Sequence, residues 1–287
     1  MDQESEQEGE AEEEVIVEVT IVNEYRNVRA LQGSIGYINK ATASGHKPHL
    51  YHLAETWWET DKHPILDEYT LIAYCLATRD YSIGRGKGGM AIYKHKDCAT
   101  PTRRLPFSEP IENAIATAIG GAEDELGNIV VIAFYLAKCS DYETTKYFNK
   151  LAKEIKIFEE QGYHTFLVGD GNANRKKDGT PRDSCFTATA LIRAEELADL
   201  RWLCPQNDGP CFTRYNISKE IMEQRDNFDP ASATSAVDHD SAGRSSIQHN
   251  ITESYTLNED LHLGADHVGL LLVVKALLPD YKPLTHK

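Results

Sequence analysis

A strand pattern, a capped helix pattern and a second strand pattern follow one another within residues 128–170. The first strand is NIVVIAFY, which is rich in β-branched and aromatic residues. Ser140 and Glu143 stand at capping-box spacing ahead of the helix, and Gly162 supplies its stop. Between them, apolar residues recur at helical period on one face: Phe148, Leu151, Ile155 and Phe158. YHTFLVG then predicts a buried strand, so the expected fold class is α/β.

The same alternation of strands and helices extends over most of the chain. EVIVEVTIV predicts a first strand, PHLYHLAET a second strand that ends at Glu55, and HVGLLLVV a last strand. LQGSIGYINKATASG is a weaker helix candidate, and LIRAEELADLRWL is a further helix. The stretch from Glu55 to about Ser82 is predicted as a loop, and GRGKGGMAIYK as a turn that enters a strand. No internal repeat or linker is visible, so residues 15–280 are expected to form one domain.

Two segments differ in composition from this domain. Residues 1–18 contain nine acids and no Lys or Arg, in a chain whose net charge is −15. We therefore predict that residues 1–14 form a disordered acidic tail. The turn-rich stretch NISKEIMEQRDNFDPASATSAVDHDSAG has little periodicity, so residues 216–243 are predicted to be a long surface insertion.

Composition also excludes several classes of protein. No stretch approaches the 18 or more consecutive apolar residues of a membrane helix, and the N-terminus is acidic where a signal peptide would be basic. We therefore expect an intracellular protein, nuclear or cytoplasmic, with no membrane partner. No basic run occurs, so composition predicts no tight charge-driven binding of nucleic acid, although it leaves room for a local basic groove.

Three weaker patterns have simpler explanations than a metal or nucleotide site. The six cysteines include no CxxC pair, which argues against a zinc ribbon or a redox motif. The histidines of HKPHLYH lead into a strand, where period-three spacing scatters the imidazoles over both faces. The glycines of GRGKGG precede a strand rather than a helix, which favours a tight turn over a phosphate-binding loop.

Carboxylates stand at the ends of several predicted strands, each with a polar neighbour. The carboxylates are Glu55, Asp170 and Asp266, and the neighbours are Asn27, Asn172 and His267. Taken singly, each carboxylate is explained as a solvated turn residue or a helix cap. Their shared position is the informative feature, because ligands and catalytic groups in layered α/β folds collect where strand ends meet loops.

The chemistry of this residue set favours phosphodiester hydrolysis. Oxygen ligands such as Glu55, Asp266 and amide carbonyls suit a hard cation, Mg²⁺ or Mn²⁺, that keeps most of its waters. Such an ion, a carboxylate that takes a proton from water, and a His or Asn that donates to a developing oxyanion together make a minimal catalyst for this reaction. Hydrolysis at phosphorus is therefore the leading chemistry.

The chain also resembles the endonuclease/exonuclease/phosphatase superfamily, and most of all the apurinic-type endonuclease domain of LINE-type (non-LTR) retrotransposons. The matching motifs run in family order over roughly residues 20–275: NVRAL, ETWW, GRGKGGMAIY, NIVVIAFY, GDGNA, TRYN, SSIQHNI and ADHVGLLL. The combination of ET, GDxN and DH in this order is the most specific of these signals. The resemblance implies a four-layered α/β sandwich of the DNase I-like type, in which two mixed β-sheets pack face to face with helices outside.

The resemblance also implies a role for each matching residue. Glu55 would be the principal Mg²⁺ or Mn²⁺ ligand, with Asn27 close by. Asp170 would orient or deprotonate the attacking water, and Asn172 and Tyr135 would contact the phosphate of a DNA substrate. Asp266 would position the metal or His267, and the histidine would stabilise the phosphorane-like transition state.

The sequence departs from the family pattern in several of the matching motifs, including at Arg29, where the family usually has a carboxylate or an amide. Gln248 in SSIQHNI stands where the family has an aspartate that orients and charges the histidine, Gly171 replaces an aromatic residue in GDGN, and Ala265 replaces a serine. Glutamine supplies no charge to hold an imidazolium, so reduced activity is expected unless Asp238 or Asp240 replaces the missing acid. Three functions therefore stay open: a Mg²⁺-dependent DNA endonuclease derived from a retroelement, a phosphatase or sphingomyelinase-like phosphodiesterase that acts on a smaller substrate, and an inactive binding module.

Overall fold

A computed structural model of the chain describes residues 16–62, 64–82, 84–120, 129–175, 180–181, 185–203, 214–215, 233–243, 251–256 and 270–279. The helices in these ranges are α1 (Leu31–Ala43), α2 (Asp141–Glu160) and α3 (Phe186–Leu197). The strands are β1 (Ile16–Asn27), β2 (Leu50–Ala54), β3 (Tyr69–Cys75), β4 (Thr78–Asp80), β5 (Arg85–Lys87), β6 (Met90–His95), β7 (Thr102–Leu105), β8 (Ala114–Ile119), β9 (Ile129–Tyr135), β10 (His164–Arg175), β11 (Leu200–Trp202), β12 (Arg214–Tyr215), β13 (Ala233–Gly243), β14 (Ile251–Thr256) and β15 (Leu270–Pro279). No helix among them is long and apolar enough to cross a membrane.

Most of the strands belong to two mixed sheets. Sheet 1 has the order β14, β15, β1, β2, β6, β3, and of its neighbouring strands only β1 and β2 run parallel. Sheet 2 has the order β11, β13, β10, β9, β8, β7, with β12 also paired to β13, and β9 and β10 are its parallel pair. β4 and β5 form a separate hairpin. Each sheet thus contains one parallel pair among its described strands.

The two sheets pack face to face with helices outside them. Apolar side chains of both sheets meet in a central core, which includes Ile21, Leu50, Ile92, Ile115, Val131 and Phe166. Residues of α1 pack on the outer face of sheet 1, and residues of α2 and α3 pack on the outer face of sheet 2. The order of layers is therefore helix, sheet, sheet, helix, which confirms the predicted four-layered α/β sandwich.

Helix α2 forms where its sequence pattern predicts it. The Ser140 hydroxyl accepts a hydrogen bond from the Glu143 amide at 3.3 Å, and the Glu143 carboxylate accepts one from the Ser140 amide at 3.1 Å. This capping box satisfies two donors at the helix start, and such a cap contributes about 1 kcal/mol. The four apolar residues of the predicted face are all buried: Phe148, Leu151, Ile155 and Phe158.

Three segments differ from the sequence prediction. The predicted loop before Ser82 contains strand β3, and the last residues of the predicted helix LIRAEELADLRWL form strand β11, because Asp199, with φ of 53°, ends the helical path. Residues 233–243 of the predicted insertion form β13, which pairs with β10 and β11. Pairing on both sides places this polar sequence in the sheet, which an apolar pattern could not predict. Residues 216–232 and the tail 1–14 lie outside the described residues.

The histidines of HKPHLYH are dispersed, although only His52 lies on the strand, because β2 begins at Leu50. His46 bonds the buried Glu24 carboxylate, and the His49 imidazole accepts a hydrogen bond from the Val22 amide at 2.9 Å. His52 is fully buried, and its desolvation lowers its pKa to about 3. No metal-binding group of three or more His, Cys, Asp or Glu side chains occurs in the parts of the chain that the structure describes.

Two glycines of β10 give opposite predictions for the same substitution. A Cβ atom at Gly169 would lie 2.2 Å from the Phe134 carbonyl oxygen, whereas at Gly171 its nearest neighbours would lie 3.4 Å away. We expect Gly169→Ala to lower the free energy of unfolding by about 1–3 kcal/mol, and Gly171→Ala to raise it by about 0.4–1 kcal/mol. Urea unfolding of both variants measures the difference. Equal stabilities would contradict the close approach of β9 and β10.

Candidate active site

Those predicted site residues that the structure describes meet at one edge of the sandwich. Asn27 is the last residue of β1, and Glu55 directly follows β2. Tyr135 ends β9 and lies beside Asp170 of β10 in the sheet register. Because each of these pairs of strands is parallel, their carboxyl ends lie at the same edge of each sheet. The packing of sheet 1 on sheet 2 then brings the two edges together.

The Asn27 side chain joins the two sheets at this edge. Its amide nitrogen Nδ2 lies 2.9 Å from Oε1 of Glu55 and 2.9 Å from Oδ2 of Asp170. Its oxygen Oδ1 accepts a weaker hydrogen bond from the Arg29 amide at 3.3 Å, and the residue is fully buried. One neutral donor therefore lies between two carboxylates and offsets their repulsion. These three residues are called the carboxylate junction below.

Asp170 is fixed through both its backbone and its side chain. Its carboxylate oxygen Oδ1 accepts a hydrogen bond from the Asn172 amide at 2.8 Å, and Asp170 is 1% exposed. Its own amide donates to the Tyr25 hydroxyl at 2.8 Å, and that hydroxyl donates to the Phe134 carbonyl at 3.2 Å. The Asp170 carbonyl accepts from the Leu136 amide at 2.8 Å. The orientation of the carboxylate is thus set by the sheet rather than by solvent.

Glu55 lies on a loop that glycines bring close to β6. Its oxygen Oε2 accepts a hydrogen bond from the Trp57 indole at 3.2 Å, and its φ of 51° is left-handed. The next two amides, of Thr56 and Trp57, donate to the carbonyls of Gly89 and Gly88. A Cβ atom at Gly89 would lie 2.6 Å from the Thr56 hydroxyl. Gly88 and Gly89 therefore allow β6 to approach this loop closely, whereas the residues before them form strand β5 rather than the predicted turn.

Tyr135 directs a phenol group at the carboxylate junction. The side chain is 7% exposed and hydrogen-bonds to Glu55. Burial raises the pKa of Tyr135 well above its ordinary value, and the negative charges of Glu55 and Asp170 raise it further. The phenol consequently stays protonated at neutral pH and can act as a hydrogen-bond donor.

Of the remaining predicted residues, Asn172 lies near the junction, and the other two lie outside the described residues. Asn172 bonds the Asp170 carboxylate through its amide, and its side-chain Nδ2 donates to the Leu136 carbonyl at 2.9 Å. Its φ of 49° is tolerated best by Asn, Asp and Gly. Asp266 and His267 lie outside the part of the chain that is described, as does Gln248. Their roles therefore stay predictions.

The acids proposed as replacements for the missing aspartate lie on a strand next to the site. β13 pairs antiparallel with β10, and Asp238 stands opposite Asp170 in the register. Asp240 stands opposite Val168. The backbone of the VDHD segment therefore runs beside the middle of β10, next to Asp170, which the sequence alone did not reveal.

Three supporting residues were missed by the sequence analysis. Tyr25 ties Asp170 to β9, and Trp57 donates to Glu55. Asn113 accepts from the Gly89 amide at 2.7 Å through its side chain and from the Tyr135 amide at 2.8 Å through its carbonyl. Only Trp57 lies in a motif that the sequence analysis noted. Tyr25 and Asn113 act through contacts with residues distant in sequence, which no local pattern signals.

Comparison with known proteins identifies similar structures but no similar sequences. The sequence matches no protein-family model and no curated protein. The fold is similar to that of the AP endonuclease LMAP from Leishmania major, with a TM-score of 0.70 and 14% identity over 89% of this chain and 88% of that chain.

Two further solved structures are similar over nearly their whole length. One is the 3′ phosphatase NExo from Neisseria bound to a product DNA hairpin, with a TM-score of 0.62 and 13% identity over 88% of this chain and 98% of that chain. The other is the endonuclease domain of TRAS1, a telomere-specific non-LTR retrotransposon, with a TM-score of 0.55 and 14% identity over 89% of this chain and 98% of that chain. At this identity the similarity concerns the fold, which is DNase I-like.

The carboxylate junction predicts a pH-dependent effect of one substitution. Asn27→Asp replaces the shared donor by a third carboxylate, so the free energy of unfolding should fall by more than the loss of about 2–3 kcal/mol expected for Asn27→Ala. Mutual repulsion raises the pKa of at least one folded carboxyl group, so the folded Asp variant binds more protons than its unfolded chain. Its deficit relative to Asn27→Ala should therefore shrink as the pH falls from 8 to 5. Urea unfolding at both pH values tests this, and a constant deficit would contradict it.

Proposed function

We propose that this chain, which has the fold of the endonuclease/exonuclease/phosphatase superfamily, is a divalent-metal-dependent phosphodiester hydrolase that nicks DNA. The observation that carries the proposal is the carboxylate junction, in which Asn27 joins Glu55 to Asp170 across the two sheets. A buried carboxylate and a partly exposed one, held close together by one neutral donor, favour binding of a cation and activation of water. A protonated phenol beside them, that of Tyr135, suits an anionic phosphate.

The donor set fits a hard cation. Glu55 and Asp170 offer carboxylate oxygens, and neither His nor Cys takes part in the described hydrogen bonds of the junction. Such a set suits Mg²⁺ or Mn²⁺ with most of its waters retained, and suits Zn²⁺ less well. Glu55 would hold the ion, with Asn27 beside it and Asp266 contributing from outside the described residues. When bound, the ion would neutralise charge on the phosphate.

Side chains of the protein would accept the proton, bind the phosphate and stabilise the transition state. The Asp170 carboxylate, oriented by Asn27 and the Asn172 amide, would accept the proton of the attacking water. Tyr135 and Asn172 would donate hydrogen bonds to phosphate oxygens. Asp266 would position His267, which would donate to the oxygen that gains negative charge in the transition state.

DNA is the substrate that the similar structures favour. Similarity to an AP endonuclease and to a 3′ phosphatase with a bound DNA hairpin supports a nucleic-acid substrate. The retroelement origin is supported by the motif resemblance to LINE-type endonuclease domains and by the similarity to the TRAS1 domain. An intracellular location, nuclear or cytoplasmic, would give access to such a substrate.

A second candidate function is a weakened or inactive binding module of the same fold. Gln248 favours it, because a glutamine at the family's aspartate position cannot supply the charge that holds an imidazolium. The carboxylate junction favours the enzyme instead, because Asn27, Glu55 and Asp170 keep the hydrogen bonds that order them.

Nicking of supercoiled plasmid DNA tests the proposed function directly. We expect conversion to the open-circular form in Mg²⁺ or Mn²⁺, loss of activity in EDTA, and better recovery on adding Mg²⁺ than on adding Zn²⁺. Absence of nicking at any concentration of Mg²⁺ and Mn²⁺ would favour the binding module. Activity that persists in EDTA would contradict the proposed dependence on a metal.

Replacement of the proposed base tests the mechanism. Asp170→Asn keeps the size of the side chain and should lower kcat for nicking by about 10²–10⁴-fold, the usual contribution of a general base. Asp67→Asn is the matched control, because Asp67 is exposed in the turn before β3. Both variants should fold, as judged by circular dichroism. Near-full activity of Asp170→Asn would show that another group accepts the proton.

A further inference from the structure

A cavity of about 560 Å³ opens next to the carboxylate junction and extends along α2. Its wall includes Tyr135, the residue that also hydrogen-bonds to Glu55. The rest of the wall comes from the connection from β9 to α2, one face of the first half of α2, the loop before β8 and the base of the β4–β5 hairpin. This cavity is called the α2 groove below.

The α2 groove carries more lysines than acids, although the whole chain has a net charge of −15. Its lysines come from three elements: Lys87 of β5, Lys138 of the connection, and Lys146 and Lys150 of α2. Its acids are Glu112 and Glu143. A local excess of positive charge in an acidic chain does not follow from average composition, and it favours an anionic ligand.

Most of these lysines are available to a ligand. Lys87, Lys138 and Lys146 are exposed, and none of them makes a hydrogen bond or salt bridge with a described residue. Lys150 differs, because its Nζ lies 3.7 Å from the Glu109 carboxylate. Glu143 is already bonded to Ser140 in the capping box, which reduces its competition for Lys146.

We propose that the α2 groove binds the phosphate backbone of a polynucleotide strand, and that Lys138 and Lys146 make the site selective for that strand over a small phosphodiester. The proposal rests on the proposed phosphodiester hydrolysis at the carboxylate junction and names its substrate class. A strand whose scissile phosphate lies at Tyr135 continues into the groove, where its next phosphates meet the lysines. A small phosphodiester reaches Tyr135 and no further.

The composition of the groove fits a strand better than a compact phosphate ester. Besides the lysines, the wall includes apolar residues, Pro110, Ile111, Leu136 and Ala137. A surface that combines cationic and apolar groups suits a chain of phosphates joined by sugars and bases. The lysines come from three separate elements and are distributed along the wall, which suits repeated charges on one ligand.

Paired substrates test the proposal. The double variant Lys138→Ala with Lys146→Ala is compared with Lys40→Ala with Lys156→Ala, which removes the same charge from exposed lysines outside the groove. The substrates are a short DNA oligonucleotide and bis(p-nitrophenyl) phosphate, both in Mg²⁺. We expect the groove variant to raise KM for DNA by about 10-fold or more at low salt, with less than about two-fold effect on the small ester. The control variant should match the wild type on both.

Salt dependence gives a readout that a merely structural defect would not produce. Each lost phosphate contact lowers the slope of log affinity against log salt by about 0.7–0.9, so the groove variant should lose about 1.5 from the wild-type slope. Equal loss of activity on both substrates, or an unchanged slope for DNA, would overturn the proposal. Equal binding of polyglutamate and DNA by the wild type would show that the groove takes any polyanion, which would also overturn it.

Direct binding separates this proposal from the proposed function. Fluorescence anisotropy with labelled DNA in EDTA measures affinity without hydrolysis. If the wild type hydrolyses neither substrate but binds DNA, and the groove variant binds it at least about 10-fold more weakly, the groove is supported and the hydrolase function fails. If the wild type hydrolyses the small ester but the two double variants bind DNA equally, the groove proposal fails and hydrolysis stands.

Discussion

A single neutral side chain sets the geometry of the candidate site. Asn27 donates from one nitrogen to Glu55 of one sheet edge and to Asp170 of the other, at 2.9 Å each. Without this shared donor, two carboxylates this close would repel each other. The amide holds both in place with no added charge. The chemistry proposed for this edge therefore depends on an amide that undergoes no reaction itself.

The sandwich holds the site residues in place although several of them have unfavourable backbone conformations. Left-handed φ values occur at Arg29, Ala30, Glu55, Trp57 and Asn172, all at or near the site. Each costs about 1–3 kcal/mol outside glycine. Backbone hydrogen bonds hold the loops in place, among them those from Ala30 to the Glu55 carbonyl and from Trp57 to the Gly88 carbonyl. Left-handed φ values also occur away from the site, at Glu68 and Asp199, so such strain is not confined to the site.

The sequence predicted the parts of the structure that depend on local signals. Helix α2 was predictable because its cap and its apolar face both lie within about 20 residues of one another. The strand before Glu55 was predicted correctly, whereas the predicted strand end at Asp170 was wrong, because β10 continues to Arg175. β13 was not, because its sequence is polar and its position depends on pairing with β10 and β11. The convergence of Asn27 with Asp170 was expected from strand ends and family order. The hydrogen bonds from the Asn27 amide to Glu55 and Asp170 depend on the packing of two sheets, which no local pattern signals. Tyr25 and Asn113 were missed for the same reason.

A negatively charged group of residues and a positively charged one lie next to each other in the molecule. The carboxylate junction is negative and favours a cation, whereas the α2 groove that begins at Tyr135 contains four lysines and favours an anion. Tyr135 belongs to both, since its protonated phenol bonds Glu55 while its side chain forms the end of the groove. If the lysines of the groove could reach the carboxylates of the junction, the two groups would form salt bridges and neutralise each other. Here the lysines are fixed to α2, β5 and the connection before α2, whereas Glu55 follows β2 and Asp170 lies within β10, so both charges stay available to ligands. A net acidic protein can in this way present a positively charged groove for a phosphate chain beside the carboxylates that are proposed to hold a cation.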